Sequence, residues 1–301
     1  MKNQKKVMKR RNKTQMKAKT KGFVFVDVLL VLMMVVPIVI GIVLKILTMP
    51  ASDDIVIAGA QIYFPLPMPI QEHPITESQI NSIIVMITVT GICLFLTHGI
   101  KAGVKTRRQL LAEVAVEKVD GMVRGNMGEY FMGFGPFVAA ILALSALSSL
   151  MSLVGLFAPT SDLNIVAGWA ILVFALITYY KCKAGPWHYV KSFGDPIIVM
   201  YPFNVLSEVA TPISLACRHF GNVVSGTVIG TLIYAALAVA NRMVFGWLPG
   251  FLGELLSTIP FLQVGIPAIA SIYFVVFSGC LQAYIFVMLS MMYVKDAAGE
   301  A

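Results

Sequence analysis

An all-α integral membrane protein with about six membrane segments follows from three features of this sequence. Apolar residues make up 58% of its 301 positions and charged residues only 13%. Long stretches carry no charge at all, notably residues 130–161 and 255–294. Apolar runs of about 18 residues or more can cross a hydrocarbon core as helix, which satisfies its own backbone polar groups. Third, the basic residues are sharply localised: ten of the 23 lysines and arginines lie in the first 21 residues, with no acid among them. A soluble domain of this size would need many more charged residues to cover its surface.

Taken in order, residues 1–22 form a basic tail suited to the cytoplasmic side of a membrane bearing anionic lipid. It lacks interleaved aromatics and runs straight into an apolar segment, so no nucleic-acid partner is expected. Residues 23–48 are too long for a signal-peptide core of about 7–15 residues and read as an uncleaved anchor span. Residues 49–79 are polar and proline-rich, with Pro65, Pro67, Pro69 and Pro74, and read as an extracytoplasmic segment. Spans follow at about 80–100, 130–158 and 164–180, and two long apolar segments, 196–240 and 247–294, finish the chain.

The connectors carry the orientation. The tail, the 101–129 segment and the connector with Lys181, Lys183, His188 and Lys191 are basic, whereas residues 50–79, 159–163 and 241–248 contain only Arg242. Alternate crossings put the basic connectors, and both termini, in the cytoplasm. Within 101–129, Ala112, Ala115, Val116, Val119, Met122 and Val123 share one helical face and Glu113, Glu117, Asp120 and Arg124 the other. That pattern fits a helix along the membrane surface or one packed on its neighbours. Cys93, Cys182, Cys217 and Cys280 show no paired spacing, so free thiols are expected, with no metal site and no cofactor.

The two closing segments are too long for single upright spans. Forty-five helical residues cover about 68 Å against a core of about 30 Å. Each must be a hairpin, a tilted helix or a kinked one, and Pro202, Pro212, Pro260 and Pro267 are placed for kinks.

Arg218 lies deep in the first of these segments. Arginine keeps its proton throughout the physiological range, and placing it mid-span costs about 2.5–3.5 kcal/mol even on the lenient insertion scale. It needs a partner or a wet face. Asn204, Ser207, Thr211, Ser214, Arg218, Asn222 and Ser225 recur at steps of three or four, a polar stripe down one side of a helix. Glu208 stands ten positions earlier, about 15 Å away on a straight helix, too far to pair with Arg218 directly.

These residues resemble subunit a of the rotary ATP synthase. The resemblance rests on Pro202-Phe203-Asn204-Val205-Leu206-Ser207-Glu208, Thr211-Pro212-Ile213-Ser214-Leu215, Arg218-His219-Phe220-Gly221-Asn222 and Leu281-Gln282-Ala283-Tyr284-Ile285-Phe286. Ile75-Thr76-Glu77-Ser78, Gly125-Asn126-Met127-Gly128 and Ala158-Pro159-Thr160-Ser161-Asp162-Leu163-Asn164 agree, so it covers about residues 70–294. It implies that residues 80–301 form an ion-translocating domain of a bacterial plasma membrane, without an active site of its own. The partners it implies are a c-subunit ring and the b subunits of a peripheral stalk. Arg218 would be the essential charge between two half-channels, with Gln282 opposite it. Asn222, Glu208, Ser214, Ser225, Thr227 and Ser278 would line the ion path.

The chain departs from the family pattern at several places. His219 follows the arginine where leucine is common, and Thr211 stands where a lysine often precedes the proline. Thr227 and Val275 occupy two positions that usually carry half-channel acids or a histidine, which leaves Ser278, Tyr273 or His219 as substitutes. His219 itself reads as a packed core residue. Protons are the expected ion, with sodium the alternative. A membrane-protein insertase can also present one arginine in a polar groove, but it needs neither the Gln282 segment nor two very long closing helices.

Overall fold

A computed structural model describes residues 2–48, 59–67, 73–100, 106–183, 185–194, 197–245, 265 and 269–299. Among them, six helical stretches are long and apolar enough to cross a membrane: Val24–Thr48, Glu77–Thr97, Glu129–Val154, Leu163–Lys183, Tyr201–Val244 and Ile269–Gly299. The expected all-α membrane architecture is therefore observed. The span expected over 247–294 is described only at residue 265 and from 269 onward, so Pro260 and Pro267 lie outside the described residues.

The first helix, α1 (Lys2–Thr48), takes in both the basic tail and the anchor span without a break. It lies antiparallel to α2 (Glu77–Thr97), and the two are fastened along their length. A Cβ on Gly41 of α1 would come within 2.8 Å of Ile84, and one on Gly91 of α2 within 2.8 Å of Met34. Missing side chains on both helices thus let the backbones approach, as small residues do between membrane helices. Charge closes each end. Lys45 pairs with Glu77 at 3.1 Å, while Asp27 accepts from Arg108 at 2.8 Å and meets His98 at 3.2 Å.

The proline-rich connector holds regular structure that the sequence did not announce. Strand β1 (Ile62–Leu66) pairs antiparallel with β2 (His73–Thr76), with Pro65 opposite Pro74. In a two-stranded ribbon each strand is an edge, so a missing proline N–H is tolerated. The hairpin leads directly into α2, whose first turn organises a remote loop. The Glu77 carboxylate accepts from the Phe157 N–H at 3.1 Å, Asn81 donates to the Phe157 carbonyl at 2.8 Å, and the Ser78 hydroxyl bonds Asp162. Gly155 makes the preceding turn possible with φ +79°, a value glycine adopts freely.

Helix α3 (Arg107–Met127) answers the two readings of its amphipathic pattern unevenly. Its carboxyl-terminal half packs into the core through Val123 and Met127, while Leu110, Leu111, Val114 and Val116 in its first half stay exposed. A 3₁₀ turn (Glu129–Phe134) leads into α4 (Gly135–Leu150), and α5 (Leu163–Lys183) returns antiparallel to it. After the short α6 (Pro186–Ser192) comes α7 (Tyr201–Phe245), a single helix of 45 residues. A π-helical stretch (Ile272–Ser278) runs into α8 (Gly279–Gly299). The core joins α3, α4, α5 and α8 through residues such as Val123, Val138, Val173, Phe286 and Val294, with Leu215 and Ala216 of α7 at its edge.

Candidate functional site

Helix α7 is unusual in how little of it is covered. Among the described residues its buried positions are Leu215, Ala216, His219, Gly226 and Asn241. At 1.5 Å per residue it is about 68 Å long, more than twice a bilayer core, so it crosses at a steep tilt or curved. Pro212 lies inside it and withholds the bond that the Glu208 carbonyl would otherwise accept. The Thr211 hydroxyl donates to the neighbouring Ser207 carbonyl at 3.0 Å.

The polar stripe faces outward. Ser207, Ser214, Arg218, Asn222 and Ser225 are all exposed, with Asn204 and Thr211 half-buried. Arg218 has no hydrogen bond or ion pair among the described residues. A permanent charge on the outer face of a membrane helix requires a partner or water there.

Glu208 does not supply that partner. Its carboxylate pairs with Lys181 of α5 at 3.0 Å and accepts from the Tyr189 hydroxyl at 3.3 Å. Burial, then the Glu208 charge and the hydrogen bond to it, push the Tyr189 phenol up to about 12. Tyr189 therefore remains a donor to Glu208 across the physiological range. Beside this pair lies a cavity of about 170 Å³ bounded by Lys181, Glu208, Thr211, Tyr293 and Asp296. It brings together three charged groups from α5, α7 and α8.

On the other side of Arg218, Asn222 donates to Gln282 Oε1 at 2.5 Å. Gln282 is 2% exposed, and its hydrogen bond goes to Asn222 rather than to Arg218. Further along α7, a Cβ on Gly226 would lie 3.4 Å from Phe274 in the π-helical stretch. A second cavity, of about 210 Å³, opens there. Thr227, Thr231, Tyr234, Ser271 and Ser152 line it, with Gly226, Gly230 and Val275. Thr227 and Thr231 donate to their own helix at 2.8 and 2.9 Å, which leaves their oxygen lone pairs as acceptors.

Ser214 and Ser225 lie on the exposed stripe, and Ser225 donates to the Asn222 carbonyl at 3.0 Å. Ser278 is half-buried and borders neither cavity. The sequence reading missed Lys181, Tyr189 and Asp296 around Glu208, and Thr231, Tyr234 and Ser271 around Thr227. In the sequence Lys181 marks only the orientation of its connector. Thr231 continues the step of four from Thr227, a signal available without the fold.

His219 is 0% exposed, as its reading as a packed residue requires. It sits edge-on to Trp169 and Phe286, with ring centroids 6.2 and 5.4 Å away, and its Nε2 meets the Ser145 hydroxyl at 3.2 Å. Among the described residues no group of histidines, cysteines and carboxylates is arranged to hold a metal ion.

Residues 80–295 match the family described as ATP synthase A chain. The chain is 30% identical over 228 residues to the ATP synthase subunit a of Acidothermus cellulolyticus, covering 72% of this chain and 74% of that protein. It is 28% identical over 228 residues to ATP synthase subunit a 2 of a Bradyrhizobium species, covering 75% and 90%. A third relative, from Propionigenium modestum, is 31% identical over 144 residues, covering 48% and 41%, and is named as sodium ion specific. The arginine-bearing helix and its buried glutamine thus belong to a multi-pass membrane subunit of the ion-translocating F0 sector, and this chain is a member of the ATP synthase A chain family.

Proposed function

We propose that the chain carries protons between two half-channels at its interface with a ring of c subunits, coupling their flow to ring rotation and ATP synthesis. One observation carries this reading: Arg218 projects from an exposed polar stripe with no partner among the described residues, while the acid nearest it in sequence, Glu208, is committed to Lys181. A ring carboxylate is neutral against lipid, because an ionised one is expensive there. Opposite Arg218 the same carboxylate can release its proton and stay charged in a favourable field. Arg218 also blocks a direct leak from one half-channel to the other. Each charge crossing 100 mV carries about 2.3 kcal/mol for the rotor to collect.

The two cavities flank Arg218 along α7 and supply candidate access routes. The route beside Lys181, Glu208 and Asp296 lies near the basic connector that Lys181 begins, which positive-inside reasoning assigns to the cytoplasm. The hydroxyl-lined route at Thr227 would serve the opposite side. Both termini are then cytoplasmic, residues 1–22 lie against anionic lipid, and residues 23–48 anchor the subunit in a bacterial plasma membrane. The b subunits of the peripheral stalk hold it still against the ring.

A sodium-carrying version of the subunit is the second reading. The Thr227 cavity favours it, because among the described residues it offers hydroxyl oxygens and no carboxylate or imidazole. The Propionigenium modestum relative, named as sodium ion specific, points the same way. Reconstituting the whole complex and driving ATP synthesis with a proton gradient, with and without sodium, separates the two. Synthesis that needs no sodium and collapses with a protonophore is expected; sodium-dependent synthesis insensitive to the protonophore overturns the proton reading.

A further inference from the structure

The exposed face of α7 leaves a physical question: what fixes the rotation of this long helix so that Arg218 points outward? Its buried stripe around the arginine is short, consisting of Leu215, Ala216 and His219, with Gly226 two turns on. Leucine and alanine pack without direction, since apolar contacts tolerate sliding and rotation. His219 is the only polar member of that stripe, and it follows Arg218 directly. Its Nε2 meets Ser145 of α4 at 3.2 Å. Trp169 of α5 and Phe286 of α8 hold the two sides of the ring. Its Nδ1 is buried and has no hydrogen-bond partner among the described residues.

We infer that His219 and Ser145 form a positioning pair that sets the azimuth of α7 and thereby aims Arg218. A directional bond between helices, made inside an otherwise apolar contact, selects one rotation among several of similar packing energy. The two residues are set by the same geometry. Successive residues differ by about 100° around a helix, so seating His219 against α4 turns Arg218 to the open side. Asn222, three residues after His219, then comes to Gln282. Neither His219 nor Ser145 touches the translocated ion in this scheme.

The inference rests on the proposed role of Arg218, and its test separates the two. In vesicles carrying the complete complex, ATP hydrolysis, ion pumping and the amount of this subunit are measured together. A loss of folding lowers hydrolysis-driven pumping in proportion to the subunit present. A misaimed arginine instead lets ions slip, so pumping per ATP falls at constant subunit level. His219→Leu is expected to lower pumping per ATP by about threefold or more, the shift expected when one interhelical hydrogen bond is lost. Ser145→Ala should give the same loss, and the double variant no more than either alone. His219→Gln, whose amide nitrogen can reach the position of Nε2, should restore most of the coupling. Normal pumping per ATP in both His219→Leu and Ser145→Ala overturns the inference, as does a loss that follows subunit amount alone. If His219→Leu does not assemble, Ser145→Ala and His219→Gln decide by the same ratio. Arg218→Ala is the control for the underlying reading: if that variant stays coupled, the proposed function fails first.

Discussion

Asn222 donates to the Oε1 of Gln282 at 2.5 Å, joining α7 to α8 one helical turn beyond Arg218. The two partners are not equivalent, because Gln282 is 2% exposed while Asn222 is open to the outside. Removing the donor strands a buried acceptor, and removing the acceptor leaves a group that water can reach. Asn222→Leu is therefore expected to lower stability by about 1–3 kcal/mol, the desolvation cost of an unsatisfied buried group. Gln282→Leu should cost less. Thermal denaturation of the purified complex checks the order, and the reverse ranking would show that the bond is not what satisfies Gln282.

Arg218 separates function from stability more sharply. It contributes no bond to the described part of its own subunit, so its removal strands nothing inside. Arg218→Ala is expected to abolish coupled ATP synthesis while assembly and melting temperature stay near those of the parent. Arg218→Lys should also be severely impaired, because an ammonium can lose its proton when desolvated and lacks the planar fork of a guanidinium. Synthesis rates in energised vesicles, normalised to subunit content, decide both.

Arg218 was legible in the sequence for a thermodynamic reason: a permanent charge in an apolar segment is expensive, and the three-or-four-residue stripe marks its face. The spans were legible for the same kind of reason, since hydropathy over some twenty residues leaves few alternatives. What the stripe could not reveal was the direction it faces. Amphipathic periodicity identifies a distinct side, and in a membrane helix the polar side can turn inward or towards another subunit. The partner of Glu208 was hidden likewise. Lys181 lies 27 residues away in sequence, and only the packing of α5 on α7 brings the two to 3.0 Å. The β1–β2 hairpin escaped because its prolines argue against a strand unless both strands are edges. Asp27 and Lys45 are likewise charges in an apolar span, legible in the sequence on the same cost argument.

The Lys181–Glu208 pair invites a comparison of its two halves. Both side chains retain some exposure, 19% and 16%, so solvent softens the loss of either. Lys181→Met leaves a carboxylate with Tyr189 as its donor and should destabilise by about 1–2 kcal/mol, below the 3–5 of a fully buried pair. Glu208→Gln keeps the shape and should cost less stability. It removes one of the two carboxylates that border the adjoining cavity, so ion flux should fall by more than stability does. Passive ion conductance of vesicles stripped of the catalytic sector measures that difference. A conductance unchanged by Glu208→Gln would remove this cavity from the ion path.

Lys45 and Glu77 pose the same problem with the carboxylate buried and the lysine 25% exposed. Glu77 is 2% exposed and also holds the Phe157 N–H, so Lys45→Met leaves a carboxylate in apolar surroundings without its counter-charge. A loss of about 3 kcal/mol is expected, the low end for breaking a buried ion pair. Pairing it with Glu77→Gln should recover much of that loss, since the amide oxygen can still accept from Phe157. Melting temperatures of the two single variants and the double variant test the coupling, and strictly additive losses would sever Lys45 from Glu77.

Gly279 opens α8 at its tightest contact. A Cβ there would lie 2.8 Å from Ser149 Cβ, an atom fixed to the α4 backbone rather than a movable side-chain end. The Ser149 hydroxyl is itself held by the Ser145 carbonyl at 3.1 Å and Thr160 at 3.2 Å. Gly279→Ala must therefore push α8 away from α4, an overpacking that costs about 1–3 kcal/mol. The displacement falls three residues before Gln282, so coupling should suffer together with stability. Gly121→Ala is the contrast: that glycine lies inside α3 with nothing within 4 Å of an added Cβ. Removing a helix-interior glycine should stabilise by up to about 1 kcal/mol. Opposite shifts in melting temperature are expected, and a neutral Gly279→Ala would mean that α4 and α8 are not held at this distance.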